Sequence, residues 1–207
     1  FAKERRLYTP PAQIPTLVKG AFVSAEDKNF YQHRGYDPRG MLAAGVEALR
    51  GGRLRGASTI TQQVMKNFLL SGDRRAERKI KEIILASRLE GTLSKEKILE
   101  LYLNEIFLGQ NSYGVTAASQ TYFNKTLSEL APHEAAFLAS LPKAPSDYHP
   151  VRQKERLLAR RNFVLKEMFE NGYLDAAVYE TERAMPLRSV QNGDFESFKA
   201  ELPPRDY

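Results

Sequence analysis

Glu26 and Asp27 form an acid pair inside Ser24-Ala25-Glu26-Asp27-Lys28-Asn29-Phe30-Tyr31-Gln32-His33-Arg34-Gly35. Glu26 follows Phe22 by four positions and Ala25 by one, so its carboxylate borders an apolar helical stripe. A carboxylate at such an edge is partly desolvated and holds a proton more readily, which suits it to take one from a reacting hydroxyl. A second acid, Glu82, has Arg78 and Lys79 one turn back on its own face, and these favour its charged form. Two carboxylates in unlike surroundings can divide the work, one as base and one as electrostatic stabiliser. Arg74, Arg75, Arg78, Lys79, Lys81 and Arg88 make the stretch around Glu82 the most basic in the chain, able to hold a phosphate leaving group by charge-assisted hydrogen bonds. Taken singly, an acid pair or a basic run is ordinarily just a solvated helix face.

Other chemistries are set aside by spacing. His133-Glu134-Ala135-Ala136-Phe137 lacks the second His of a zinc-protease helix. Gly56-Ala57-Ser58-Thr59-Ile60 lacks the closing Gly of a nucleophile elbow. Ser94-Lys95-Glu96-Lys97 has Ser-x-x-Lys spacing, but Lys125-Thr126-Leu127 is not Lys-Thr-Gly, and Ser94 reads better as a helix cap. Three separated His residues make no metal cluster, and His33 is expected to be a hydrogen-bonded structural group.

The elements that must carry these residues are helical. Pro15 suits a first turn, and Leu17, Val18, Ala21, Phe22 and Ala25 recur at helical spacing up to the acid pair. Asp37-Pro38 starts a second helix with Met41, Leu42, Val46 and Leu49 on one apolar side. Residues 51–56, with three Gly and two Arg, read as a basic loop. Ser58 is expected to cap a helix from Thr59 to Leu70, with Gln62, Gln63 and Lys66 within a turn of each other and Ile60, Val64 and Phe68 opposite. Asp73 to Glu90 follows, with Ile80, Ile83, Ile84 and Leu89 as its apolar stripe, ending at Gly91. Ser94 caps Lys95 to Leu108, then come Val115–Phe123, His133–Leu141, Arg156–Glu170 closed by Asn171-Gly172, and a last helix opened by Asp175. Residues 186–207 lack periodicity and read as a linker. Only the first dozen residues suggest a strand.

The 207 residues suffice for one domain with a sizeable core. Hydrophobic residues at 42% and charged residues at 27% exclude a disordered chain. A net charge of +6 points to an anionic partner: nucleic acid, a phosphorylated ligand or an acidic membrane face. Without Cys there is neither disulfide nor thiolate chemistry. No run of about 18 apolar residues is present, and no signal peptide. The chain opens Phe1-Ala2-Lys3, without an initiator Met, and is expected to be part of a longer protein.

Five stretches then resemble, in order, the motifs of the peptidoglycan glycosyltransferases (glycosyltransferase family 51). They are Glu26-Asp27-x-x-Phe30-x-x-His33-x-Gly35; Gly56-x-Ser58-Thr59-Ile60-Thr61-Gln62-Gln63; Arg78-Lys79-x-x-Glu82; Leu99-Glu100-Leu101-Tyr102-Leu103-Asn104 after Lys97; and His133 through Ser146. The details look most like the transglycosylase domain of a bifunctional class A penicillin-binding protein, over residues 1–185. The resemblance implies a mainly α, lysozyme-like fold with a large helical lobe and a smaller membrane-facing jaw. It implies polymerisation of lipid II into β-1,4 glycan strands, with inversion at the donor and release of undecaprenyl pyrophosphate. Glu26 matches the general base on the acceptor 4-hydroxyl. Glu82 matches the acid that assists at the donor pyrophosphate, directly or through Mg²⁺ or another divalent cation; no organic cofactor is implied. Asp27, Ser58, Gln62, Gln63, Lys66, Arg74, Arg78 and Lys79 match positions at or near those that bind substrate phosphates and sugars. The implied partners are lipid II and the growing chain, the membrane surface and a fused transpeptidase domain, but no nucleic acid. The implied location is the outer face of a bacterial inner membrane, with an anchor outside this chain.

Inversion fits the residues. Attack opposite an α-linked pyrophosphate needs a base on one side and leaving-group stabilisation on the other. The alternative from similar chemistry is a lysozyme-like enzyme that cleaves glycan; neutral glycan gives the cations around Glu82 no task. A helical nucleic-acid-binding module on residues 74–88 would leave Glu26 and the 56–63 motif without a purpose.

Overall fold

A computed structural model of the chain describes residues 5–51, 57–69, 75–142 and 144–197. Its helices are α1 (Thr16–Glu26), α2 (Pro38–Leu49), α3 (Ile60–Leu69), α4 (Arg75–Thr92), α5 (Lys95–Glu105), α6 (Val115–Phe123), α7 (Pro132–Ala139), α8 (Lys154–Glu170) and α9 (Ala176–Arg183). Strands β1 (Arg5–Arg6) and β2 (Ser112–Tyr113) pair in parallel. The expected strand in the first dozen residues is thus present, and its partner lies in a turn-rich link that carries no strand periodicity.

Local chemistry accounts for several helix starts. Asp37 accepts from Gly40 N, Ser94 from Lys97 N and Asp175 from Val178 N, each satisfying a first-turn N–H that has no partner within its helix. The α3 cap falls one residue later than expected. Thr59 Oγ1 accepts from Gln62 N while Gln62 Oε1 accepts from Thr59 N, a reciprocal capping box. Ser58 is left for another task. Gly91 does not stop α4, which continues to Thr92.

Two groups of helices meet at the acid pair. α1, α7 and α8 pack on one another, and α3 packs against both α4 and α5. Phe22 of α1 is fully buried and meets Tyr102 of α5 edge-on at 6.2 Å between centroids, which joins the groups. Burying one such ring is worth about 1.5–3 kcal/mol. The N-terminal arm is strapped down by Asn104, whose side chain accepts from Thr9 N and donates to Thr9 O. Residues 187–195, expected within a linker, return to this body: Leu187 and Ser189 are buried, and Gln191 donates to Thr121 O.

Two helices turn differently from their apolar stripes. On α2, Leu42 and Leu49 are 71% and 89% exposed, and only Ala44 is buried. On α4, Ile80 and Ile84 are exposed while Glu82 and Ala86 are buried. The cause on α4 is Gly35, which sits at φ +98° against the helix backbone. A Cβ at Gly35 would stand 2.6 Å from the Ala86 carbonyl. Gly35→Ala therefore combines a left-handed conformation with a backbone clash, and a loss of about 2–5 kcal/mol is expected. In thermal unfolding this is a drop of roughly 5–15 °C. A variant melting with the parent would show that the loop does not rest on α4.

Candidate active site

The first turn of α3 is where the sequence-predicted residues converge. Asp27, the residue after α1, is buried; its Oδ2 accepts from Ile60 N at 3.0 Å and from His33 Nε2 at 2.6 Å. The acid pair is thereby fixed to the start of α3. Two residues before Ile60, Ser58 Oγ accepts from Lys79 Nζ at 2.5 Å. Lys79 Nζ stands 3.5 Å from Glu82 Oε2, and Arg78 Nε stands 3.6 Å from Glu82 Oε1. Glu26 and Glu82, fifty-six positions apart in the chain, are thus tied to positions separated by about 7 Å of backbone at most.

The two acids keep different company. Glu82 is buried between two side chains that are themselves partly in water, Arg78 at 32% and Lys79 at 41% side-chain exposure. Glu26 closes α1, where the helix dipole presents its negative end. No cation precedes Glu26 within a turn in the sequence, but the fold supplies one. Arg160 of α8 places Nη2 3.7 Å from Glu26 Oε1 and 3.5 Å from Ala25 O, with its guanidinium over the Phe163 ring. Tyr102 lies against the same pair. Burial holds its hydroxyl well above the ordinary phenol range, and the charges of Glu26 and Asp27 add to this. It therefore stays a neutral O–H beside the carboxylates.

The remaining expected residues divide. Gln62 is buried and its Oε1 is committed to the α3 cap, whereas its Nε2 has no partner among the described residues. Gln63 is half-buried and Lys66 exposed on the same helix. Arg74 and residues 52–56 lie outside the described residues. Asp27, expected to bind substrate, is engaged by protein donors, which makes it a brace between α1 and α3. Sequence reasoning missed Arg160 and the second role of Thr59, whose hydroxyl also donates to Gly35 O. A Thr-x-x-Gln spacing was legible for Thr59; nothing local signals Arg160.

A divalent cation beside Glu82 meets the wrong donor set. Such an ion takes several oxygen ligands, and the charged groups paired with Glu82 among the described residues are an ammonium and a guanidinium. Among the described residues no group of three His, Cys, Asp or Glu side chains could hold a metal. No step below runs through one.

The transglycosylase family model matches residues 1–169. Penicillin-binding protein 1A of Aquifex aeolicus is 50% identical over 185 residues, covering 89% of this chain and 26% of that protein. Penicillin-binding protein 1A of Escherichia coli is 44% identical over 201 residues, covering 97% of this chain and 24% of that protein. The crystal structure of penicillin-binding protein 1A from Haemophilus influenzae superposes with a TM-score of 0.55 at 29% identity, over 90% of this chain and 18% of that one. The chain thus spans about a quarter of the length of the curated relatives it matches.

Proposed function

The chain belongs to the transglycosylase family and has its mainly helical, lysozyme-like fold, and from that premise we propose that it polymerises lipid II into β-1,4 glycan. The observation that carries this reading is the convergence of Glu26, through Asp27, and Glu82, through Lys79 and Ser58, on the first turn of α3.

In the proposed reaction the acceptor 4-hydroxyl gives its proton to the Glu26 carboxylate as its oxygen attacks the donor anomeric carbon. The bond from that carbon to the pyrophosphate oxygen breaks, and the electron pair leaves with the pyrophosphate. Attack from the opposite face inverts the α-linkage to β. Lys79 and Arg78, held in register by Glu82, meet the developing charge, with Ser58 as a further donor and Lys66 within reach along α3. Arg160 keeps Glu26 in place at the end of α1.

The membrane surface as partner is supported by apolar side chains turned to solvent: Leu42, Leu49, Phe68, Ile80 and Ile84. Phe68, on the apolar side of α3 with the buried Ile60 and Val64, is 48% exposed. Among the described residues no helix is long and apolar enough to cross a membrane. A fused transpeptidase domain is proposed from the greater length of the relatives.

Labelled lipid II, incubated with the chain with and without divalent cation and run on a gel, tests the reading. A ladder of glycan products is expected, and finished glycan should remain uncut. Shortening of finished glycan with no product from lipid II would transfer the site to the lysozyme-like alternative.

A further inference from the structure

Behind the acid pair runs a buried polar ring that the transfer chemistry does not use. His33 Nδ1 accepts from Gly35 N at 3.1 Å, and Lys95 Nζ reaches the same nitrogen at 3.4 Å. A nitrogen with two donors aimed at it carries no proton, so the proton is on Nε2, where it is donated to Asp27. Lys95 Nζ also donates to Glu90 Oε1 at 2.6 Å, and that oxygen accepts from Thr61 Oγ1 at 2.7 Å. The ammonium lies 4.5 Å from the Phe30 ring centroid, which fixes it from a further side. The path from Ile60 N through Asp27, His33, Lys95 and Glu90 to Thr61 returns to the next residue of the same helix turn.

The ring joins the parts that the proposed reaction must keep in register. Asp27 is covalently next to the base. Ile60 and Thr61 follow Ser58 on α3, and Glu90 shares α4 with Lys79 and Glu82. Side-chain exposures are 4% for Asp27, 5% for His33 and 7% for Glu90, against 23% for Lys95, so the groups that Lys95 holds are themselves shielded from water. Lys95 is the sole ammonium or guanidinium in the ring, set against two carboxylates. It is also the member that reaches both His33 and Glu90.

We propose that Lys95 is a positioning residue for glycan transfer: from the first turn of α5 it closes this ring and sets the separation between the Glu26 end of α1 and the start of α3. The inference rests on the transferase reading above. The two halves of the reaction would each still bind their sugar or phosphate if the ring opened. Their alignment would suffer, and a misplacement of about 1 Å costs on the order of 10²-fold in rate.

The test compares the full chain with Lys95→Met, Lys95→Arg and the double variant Lys95→Met with Glu90→Gln. Lipid II turnover, melting temperature and the ¹⁵N signals of the His33 ring are measured for each. Lys95→Met leaves Glu90 buried without its cation and is expected to melt early, whereas the double variant removes both charges and should regain most of that stability. In the folded double variant kcat is expected to fall about 10²-fold, with KM for lipid II within about threefold of the parent. The His33 ring should keep its Nε2–H tautomer, which Asp27 and Gly35 N still fix, while its Nδ1 signal shifts with loss of the Lys95 donor. Lys95→Arg, which keeps a cation at the ring, is expected to restore the parent's Nδ1 signal and most of kcat. A folded double variant with the parent's kcat would overturn the proposal and leave Lys95 a stabilising ion pair. So would a folded Lys95→Arg that is as slow as the double variant while giving the parent's Nδ1 signal. If the parent itself makes no glycan, the transferase reading has failed; if the parent is active and the variants match it, only the role of Lys95 has.

Discussion

Glu26→Gln is expected to lower lipid II turnover by about 10³-fold or more, with the melting temperature unchanged within roughly 3 °C. The rate effect follows from the proposed role. An amide cannot accept the hydroxyl proton, and loss of a general base ordinarily costs 10²–10⁴-fold. The small stability effect follows from the geometry. Glu26 meets Arg160 at 3.7 Å, beyond hydrogen-bond distance, and the guanidinium keeps its contacts with Ala25 O and the Phe163 ring when the charge goes. Gln is nearly the same shape, so Asp27 and its bond to Ile60 N are undisturbed. Steady-state turnover and thermal unfolding of one preparation check both halves. Turnover within tenfold of the parent would remove Glu26 as the base and move the search to another acceptor near the start of α3.

The physical difference between what was legible and what was not is range. Asp37, Ser94 and Asp175 announce their helices because a cap acts within three residues, and all three do so here. Val115–Phe123 was bounded to the residue by a positive-φ Gly114 and a left-handed Asn124 at its two ends. The five motifs and their order were readable for the same reason, since each is a local string. Which stripe of a helix faces inward is not local. α4 carries a stripe of Ile and a stripe of Arg, Lys, Glu and Ala, and periodicity alone favours the first as the core. The structure buries Glu82 and Ala86 because the Gly35 loop rests on the backbone there, where a small residue is required. The same limit hid Arg160, which reaches Glu26 across 134 positions of chain, and the return of Leu187 and Ser189 to the body. Gln62 shows a third kind of limit. Its spacing from Thr59 permits a cap and its motif implies a substrate contact; the fold gives its oxygen to the cap while its Nε2 has no partner among the described residues.

Glu82→Gln should slow turnover by about 10²–10³-fold, the range found when one electrostatic donor to a developing charge is disabled. The argument runs through the cations rather than through the carboxylate itself. Glu82 holds Lys79 at 3.5 Å and Arg78 at 3.6 Å, and Lys79 in turn reaches Ser58 at the start of α3. With 41% and 32% of their side chains in water, both cations can swing outward and rehydrate once the charge between them is gone. Stability should therefore change by less than about 1 kcal/mol, while the site loses its prearranged pair at the leaving group. The consequence separates the two acids kinetically. The Glu82 variant should retain acceptor affinity and lose rate with donors whose pyrophosphate must depart. A donor carrying a leaving group that needs less charge neutralisation should recover part of the loss, and the Glu26 variant should recover none with the same donor. Equal recovery in both variants would mean that the two carboxylates do not divide the reaction between proton removal and departure. An unchanged rate for Glu82→Gln would reduce Glu82 to a structural counter-ion of α4.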